Sequence, residues 1–340
     1  VQEAAEGAGV KFGWVKGHSG HEWNDQADEL ANRGRMMAPE RKSGGGSTHR
    51  RKARRTRAGV VETARYPWVV SDEKLAGVGS AVAGRIKKAT VGRDHEGRRI
   101  VEAVYVRRSR YGRRNATGPS LQFMSRTDRA ALAGGTYAEV DMKSAHPTVL
   151  WWAARRYGGE GLGLRRLGQL AQSSESLVAE VAKEFETRLR VTNIERGNVK
   201  RIMLAAINGG NIERMAREAL GGWVGGGALD QLKREVEKVR ARVMEWRPDI
   251  AEDVRSRNPG EPEWRLRVKA TYYLMTEGED AVLRVIEDVA RESGLLGDAP
   301  TGDGLLVRQG EGGAEETVEQ VISRMQEAVR SQTGIPMQVM

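Results

Sequence analysis

A stretch rich in glycine, serine and basic residues interrupts the 340-residue sequence at positions 35–58. It contains the run SGGGST at 43–48, followed by a basic cluster at 49–57. Glycine and serine favour a flexible linker because they bury little apolar surface and leave the backbone many conformations. We therefore expect three parts: a short segment 1–34, a linker 35–58 and a large domain 59–340. About 34 residues are too few to bury a stable core alone, whereas the large domain is long enough.

Positive charge is concentrated in two blocks of the chain. The net charge is +10, but residues 33–57 alone carry ten Lys or Arg against Glu40, a net +9. Residues 85–114 carry eleven Lys or Arg against three acids, a net +8. Such blocks favour a polyanionic partner such as nucleic acid. A solvated surface or a disordered arm is the alternative for 33–57, and the cluster 49–57 also matches a nuclear-localisation patch.

The residue types present exclude several classes of protein. The chain has no cysteine, which rules out disulfides, thiolate zinc sites and cysteine nucleophiles. No run approaches the roughly 18 to 20 apolar residues of a membrane span, and the start of the chain lacks the pattern of a secretory signal. We therefore expect an intracellular protein without a membrane partner. Any metal should be a hard cation such as Mg²⁺ or Mn²⁺, bound by oxygen atoms.

Strand and helix patterns in the large domain predict an α+β fold. Apolar, β-branched runs predict strands at 100–106, 136–141 and 305–307. Helical periodicity predicts helices at 175–190, 196–207, 228–247, 277–293 and 314–331. Another helix is expected to begin at Ser144, which can cap it, and to end at Gly158 and Gly159.

Two aspartates, Asp141 and Asp303, lie beside apolar runs that are typical of strands. A single Asp in such a place usually caps an element or forms a turn, and this alternative applies to each of them. Two carboxylates on neighbouring strands can instead hold two Mg²⁺ ions for an in-line phosphoryl displacement. Arg196 and Lys200 share one face of a predicted helix. Such a pair suits a triphosphate, with a solvated basic face as the alternative.

The order of motifs over about 111–307 resembles the family A DNA polymerases. Their Thr-Gly-Arg and Asn-Leu-Gln segments match Gly112-Arg113 and Ser120-Leu121-Gln122, and Asp141 falls at the Asp of motif A. Motif B, Arg-x3-Lys followed by Tyr-Gly, matches Arg196, Lys200 and Asn208-Gly209, and motif C matches at Asp303.

This resemblance implies a palm-and-fingers architecture and a set of roles. Asp141 and Asp303 would hold the catalytic Mg²⁺ or Mn²⁺ ions. The incoming nucleoside triphosphate would be bound by Arg196, Lys200 and Asn208. The primer–template would be contacted by Arg113, Gln122 and Arg129.

Departures from the family pattern indicate a divergent polymerase, of viral or mobile-element type, with a role in DNA replication. The motif A Asp is followed by Met-Lys-Ser-Ala-His-Pro, and Leu204 replaces the aromatic residue of motif B. Gly302 and Gly304 stand where motif C has His and Glu. His146 is unexplained by the family pattern, and either a helix entry or a nucleotide contact would account for it.

The short N-terminal segment resembles a different family. The runs WVKGHSGH at 14–21 and NDQADELA at 24–31 are similar to the last strand, His loop and helix of a type 1 RNase H, over about 10–34. The resemblance implies an α/β fold, an RNA–DNA hybrid partner, His18 as the loop histidine and Asp28 as a metal-binding carboxylate. One carboxylate cannot organise two metals, so we expect this segment to be inert unless a longer parent protein supplies the rest.

Two further groups of residues have a structural and a functional interpretation. The tryptophans are expected in the core rather than as platforms for base stacking: Trp151, Trp152, Trp223, Trp246 and Trp264. The acidic positions Glu277, Glu279 and Asp280 are expected on a solvated helix face, with a metal ligand as the alternative.

The sequence thus favours a template-dependent nucleotidyltransferase with an RNase H remnant. One alternative is an RNase H fragment whose C-terminal domain is a degenerate passenger. Another is a non-catalytic module that grips hybrid duplex by its phosphates. A fusion of two unrelated fragments is a further interpretation.

Overall fold

The structure, a computed structural model, describes residues 62–308 and 317–340. The predictions for His18, Asp28, the segment 10–34 and the linker 35–58 therefore fall outside the described residues. All of the described residues belong to one compact unit, Arg57–Met340.

Helices and two antiparallel sheets make up the described chain. The strands are β1 (Glu62–Val70), β2 (Thr90–Arg93), β3 (Arg99–Arg107), β4 (Asn115–Ala116), β5 (Tyr137–Lys143), β6 (Leu296–Pro300), β7 (Gly304–Arg308) and β8 (Gln338–Val339). The first helices are α1 (Asp72–Ala76), α2 (Ser80–Lys88), α3 (Arg126–Ala133), α4 (Ala145–Gly158), α5 (Arg165–Gln172) and α6 (Ser174–Leu189). The remaining helices are α7 (Arg196–Ile207), α8 (Ile212–Leu220), α9 (Ala228–Trp246), α10 (Pro248–Arg257), α11 (Glu263–Glu292) and α12 (Val318–Thr333).

The first sheet is built around β3, which pairs antiparallel with β1, β2 and β4. One face of this sheet packs on a core that includes Trp68, Tyr105 and Leu121, all fully buried. The Tyr105 hydroxyl donates to the carbonyl oxygen of Pro300 in β6 at 3.0 Å. This bond joins the first sheet to the second.

The second sheet has the strand order β6-β7-β5-β8, and every pair in it is antiparallel. Successive side chains of a strand point to opposite faces. Val140 and Met142 of β5 are therefore buried against α11 and α12, in a cluster with Ile286 and Met325. Asp141, which lies between them in sequence, must point to the opposite face. The strand pattern itself places this carboxylate away from the apolar core.

Helices α4 to α11 pack around a hydrophobic core of their own. The long helix α11 connects this core with the second sheet, because its later turns pack on the sheet cluster. It crosses α4 closely at Gly278, where an added Cβ would lie 2.5 Å from Cγ1 of Val149. A larger residue at 278 would therefore push α11 away from α4.

The predicted α+β architecture is confirmed for the described part of the chain. Each of the three predicted strands is present, and the helix predicted at 196–207 has those bounds. The helix predicted at 277–293 is the second half of α11, which begins fourteen residues earlier at Glu263. No helix among the described residues has the length and apolar composition needed to span a bilayer.

Three expectations were wrong, each for a physical reason. The helix α4 begins directly after Ser144 as predicted, but Ser144 makes no side-chain cap bond, because its backbone is left-handed (φ 51°) instead of the extended conformation of a capping residue. Trp264 is 60% exposed because it lies in the first turn of α11, beyond the helical core. Glu279 and Asp280 are buried, since arginines from the β3–β4 region bond to their carboxylates.

Candidate active site

The register of β5 and β7 brings the two predicted aspartates together. Asp141 pairs with Gly304, the residue after Asp303, and the backbone N–H of Met142 donates to the carbonyl oxygen of Asp303 at 2.9 Å. Glycine is needed at 304, because a Cβ there would lie 2.7 Å from the Val140 carbonyl oxygen and 3.2 Å from Oδ1 of Asp141. Gly304, which stands where motif C has a Glu, therefore leaves room for the Asp141 carboxylate.

The two aspartates repel one another. Partial burial raises the pKa of Asp141 to about 6, and the neighbouring charge of Asp303 adds to the shift. Arg129 opposes it weakly by lowering the same pKa. A like-charge pair without a bonded cation is a common sign of a functional site, because folding alone does not favour it.

Both aspartates line a cavity of about 360 Å³ between β5, α4, α6 and α7. Lys200 of α7 and Asn208, the residue just after α7, line its other wall, and both are residues that the resemblance to motif B singled out. Lys200 is half exposed, and its Nζ lies 3.8 Å from the exposed Glu175 carboxylate, a pair too solvated to hold it firmly. Arg196, one turn earlier, is exposed and does not line this cavity.

A cluster of Arg113, His146 and Glu279 stands beside the aspartates. Oε2 of Glu279 accepts a bond from Nη2 of Arg113 at 2.8 Å and lies 3.0 Å from Nε2 of His146. Nη2 of Arg113 also lies 3.0 Å from that histidine nitrogen. An added Cβ at Gly302 would be 3.2 Å from Nη1 of Arg113, so the guanidinium reaches the turn that carries Asp303.

Glu279 is a residue of this site that the sequence interpretation named but placed on a solvated helix face. It is 1% exposed, and its Oε1 has no hydrogen-bond partner among the described residues. The signal was the helical spacing, because position 279 follows Met275 by four residues and precedes Ile286 by seven on the buried face. His146 lines the cavity from the first turn of α4, which agrees with both a helix entry and a nucleotide contact.

A buried ionic network holds the segment that carries Arg113. The guanidinium of Arg114 donates to Asp280 at 3.0 Å, to Glu287 at 2.9 Å and to the Tyr66 hydroxyl. The Thr276 hydroxyl donates to the carbonyl oxygen of Tyr111 at 2.9 Å. These bonds tie β1 and the 111–114 segment to α11, so Arg113 projects from a firmly held backbone.

Gln122 and Arg129 lie outside the cavity lining. The Gln122 amide oxygen accepts the Ala116 N–H at 2.8 Å, and its amide nitrogen donates to the Arg114 carbonyl at 3.4 Å. Gln122 thus supports the local backbone, while Arg129 acts on Asp141 through its charge.

The donor set suits magnesium shared with a substrate. No group of three or more His, Asp or Glu within 62–308 and 317–340 has the geometry of a metal site. Mg²⁺ usually retains waters and needs only one or two protein carboxylates when substrate phosphates supply other oxygens. Asp141 and Asp303, beside an open cavity, match that requirement.

No family model matches the chain, and the known proteins that it resembles include a short sequence match and a distant structural one. A stretch of 25 residues is 64% identical to a ribonuclease H of Chromobacterium violaceum and covers 7% of this chain and 17% of that protein. The fold is similar to the POL domain of Pol1 from M. smegmatis, solved in complex with DNA primer-template and dNTP. That similarity has a TM-score of 0.46 and 14% identity, over 76% of this chain and 49% of the other. The chain thus spans about half of that polymerase chain and under a fifth of the ribonuclease.

Proposed function

We propose that the described domain is a template-dependent nucleotidyltransferase that extends a nucleic-acid primer with nucleoside triphosphates. The observation that carries this proposal is that acidic and basic side chains line the same cavity. Two mutually repelling carboxylates, Asp141 and Asp303, face Lys200 across it, and Arg113 and His146 stand beside them. Phosphoryl transfer needs both signs of charge, because metals on carboxylates and protein cations together neutralise the phosphates.

In the proposed reaction the 3′ oxygen of the primer bonds to the α-phosphorus of the triphosphate, and the bond to the pyrophosphate oxygen breaks. The hydroxyl proton passes to solvent. Mg²⁺ on Asp141 and Asp303 would stabilise charge on the attacking and leaving oxygens. Lys200, at the α7 wall, would receive the triphosphate, and Asn208 would lie at the nucleotide's other edge.

The surroundings of the cavity support a nucleic-acid partner. The basic block 85–114 runs through α2, β2 and β3 and ends beside the site. Arg113 and Arg114 at its end are paired with Glu279, Asp280 and Glu287, whereas Arg85, Lys87 and Lys88 of α2 are exposed. Clustered cations attract a phosphate backbone without regard to sequence. A primer–template could therefore approach the aspartates along this block.

Primer extension tests the proposal. The full chain is incubated with a primed DNA or RNA template, the four triphosphates and Mg²⁺ or Mn²⁺, beside Asp141→Asn and Asp303→Asn. We expect wild-type extension and a loss on the order of 10³-fold in each variant, as several kcal/mol of charge stabilisation disappear. Asp288→Asn is the matched control, since Asp288 is an exposed carboxylate paired with Arg291. Absence of extension by folded wild type with both metals and both templates would reject the proposal.

A second candidate is motivated by the 25-residue stretch that is 64% identical to a ribonuclease H. In this reading the N-terminal segment belongs to an RNase H, with His18 and Asp28 in its site, and the large domain only binds nucleic acid. Cleavage of RNA in an RNA–DNA hybrid by a longer parent protein, lost in Asp28→Asn but kept in Asp141→Asn, would favour this candidate.

A further inference from the structure

A second groove, of about 350 Å³, lies at the C-terminal end of α7. It is bounded by the α7–α8 turn at Gly209 and Gly210, by α9 and by the first turns of α11. It shares no lining residue with the cavity of the two aspartates. The turn and α11 approach closely there, because an added Cβ at Gly209 would lie 2.7 Å from Cγ1 of Val268.

Arg240 of α9 supplies a cation to this groove, and no carboxylate of the described residues bonds to it. Its Nη2 donates to the carbonyl oxygens of Ala206 and Ile207, at 3.0 and 3.1 Å, which fixes the guanidinium at the end of α7. Its buried Nε has no partner among the described residues. Burial lowers the pKa of Arg240, and the charge of Glu237 offsets this only in part. An anionic ligand would relieve a desolvated cation of this kind.

Trp264 gives the groove an exposed aromatic surface. Its side chain is 60% exposed at the groove, and the guanidinium of Arg265 lies 5.1 Å from its ring centroid. Lys233 and Arg267 also line the groove. Lys233 donates to Glu213 at 2.8 Å and Nε of Arg267 lies 3.6 Å from Glu263, but both pairs are partly exposed and weak, whereas no acid of the described residues bonds to Arg240. Exposed aromatics among cations are the usual platform for unpaired bases, since every base has a face that can stack.

We propose that this groove binds single-stranded nucleic acid, with one base stacked on Trp264 and a phosphate held by Arg240 and Arg267. A duplex does not fit this chemistry, because paired bases have no free face to stack on a side chain. The groove holds about one nucleotide by volume, and a free nucleotide presents the same base and phosphate. The proposal concerns binding alone, so it stands or falls independently of the nucleotidyl-transfer reaction.

The test measures binding of a fluorescein-labelled oligo(dT) to the full chain by anisotropy, in EDTA and without triphosphates. Salt of about 0.3 M weakens purely ionic binding by the basic block 33–57. We expect Trp264→Ala to raise the Kd about tenfold, as base stacking is lost, and Trp264→Phe to restore most of the affinity. Arg267→Glu should raise the Kd and reduce the slope of log Kd against log salt by about one.

An abasic oligomer of equal length separates stacking from charge. Its Kd should be the same for wild type and Trp264→Ala, because it has no base to stack. Arg291→Glu is the matched charge control, since Arg291 lies near the other end of α11, is 73% exposed and is paired with Asp288. It should change the Kd less than twofold.

Three results would overturn the proposal. The first is unchanged oligo(dT) affinity in Trp264→Ala. The second is an equal loss in Arg291→Glu, which would indicate a general charge effect. The third is competition by dTMP at the same nucleotide concentration as the strand, which would indicate a site for a free nucleotide. Thermal unfolding of each variant verifies that the fold is intact, and primer extension has no part in the readout.

Discussion

Two pairs of carboxylates lie beside the same cavity, and they differ in how far neighbouring cations compensate their negative charge. Asp141 and Asp303 repel one another, no Lys or Arg within 62–308 and 317–340 bonds to either, and the pKa of Asp141 rises to about 6. Glu279 and Asp280 of α11 are more deeply buried but accept hydrogen bonds from Arg113 and Arg114. The compensated pair supports the structure around it, and in the function proposed above the uncompensated pair would bind a cation.

The largest expected effect is the loss of stability when the compensated carboxylates lose an arginine partner. Arg114→Met removes the bonds to Asp280 and Glu287 and leaves buried charge unpaired. We expect the free energy of unfolding to fall by about 3–5 kcal/mol, measured by urea denaturation. Arg291→Met removes an exposed pair and should cost under about 1 kcal/mol. Equal losses in the two variants would show that the Arg114 network does not hold the fold.

The next effect concerns the cations that face the aspartates. Lys200→Met should raise the KM for nucleoside triphosphate about 10- to 100-fold, as a charged hydrogen bond worth roughly 1.5–3 kcal/mol is lost. Arg196→Met tests the motif B prediction for a residue that the structure places outside the cavity lining. If Arg196 acts on the triphosphate only through long-range electrostatic attraction, Arg196→Met should change the KM less than threefold. A larger effect of Arg196 than of Lys200 would reverse this assignment.

Glu279 connects the two groups, because its carboxylate positions Arg113 and His146. Glu279→Gln keeps the shape but weakens charge-assisted bonds, so we expect kcat to fall roughly tenfold, about 1.4 kcal/mol. The KM for triphosphate should change little, since Lys200 is untouched. A loss of thermal stability with unchanged kcat would assign Glu279 to the fold alone.

The smallest expected effect is on the pH dependence of the free energy of unfolding. The folded-state pKa of Asp141 lies above its ordinary value of 3.8, so ionisation of this group opposes folding as pH rises through about 6. In EDTA at pH 7, Asp141→Asn should therefore be more stable than wild type by roughly 1 kcal/mol, allowing for solvent screening. The difference should vanish as the pH falls toward 4. A difference that stays constant with pH would contradict the raised pKa.

Much of the site was predictable because its residues follow local patterns. Asp141 and Asp303 were predicted as neighbours from apolar runs and the order of motifs, and the strand register now places them together. Lys200 followed from helical spacing and Asn208 from the resemblance to motif B, and both line the cavity. The roles of all four in binding metal or nucleotide stay predictions, as do those of His18 and Asp28.

Glu279 and Trp264 were misjudged because burial is not a local property. An acidic run on a helix usually faces water, and only the arginines at 113 and 114, about 166 positions away in sequence, stabilise Glu279 and Asp280 inside. A tryptophan usually packs in a core, but α11 begins earlier than its periodicity indicated, so Trp264 lies beyond the core.

The sequence by itself determined three of the strands, most of the extent of six helices, the alternation that turns Asp141 away from the apolar core, and the chemical character of the candidate site. These depend on the spacing of side chains along one element, which is set by backbone geometry. Only the tertiary structure decided which charged side chains are paired with an opposite charge and which are not. That balance depends on contacts between distant segments, because the free energy of a charge is set by the dielectric and the partners that the fold places around it.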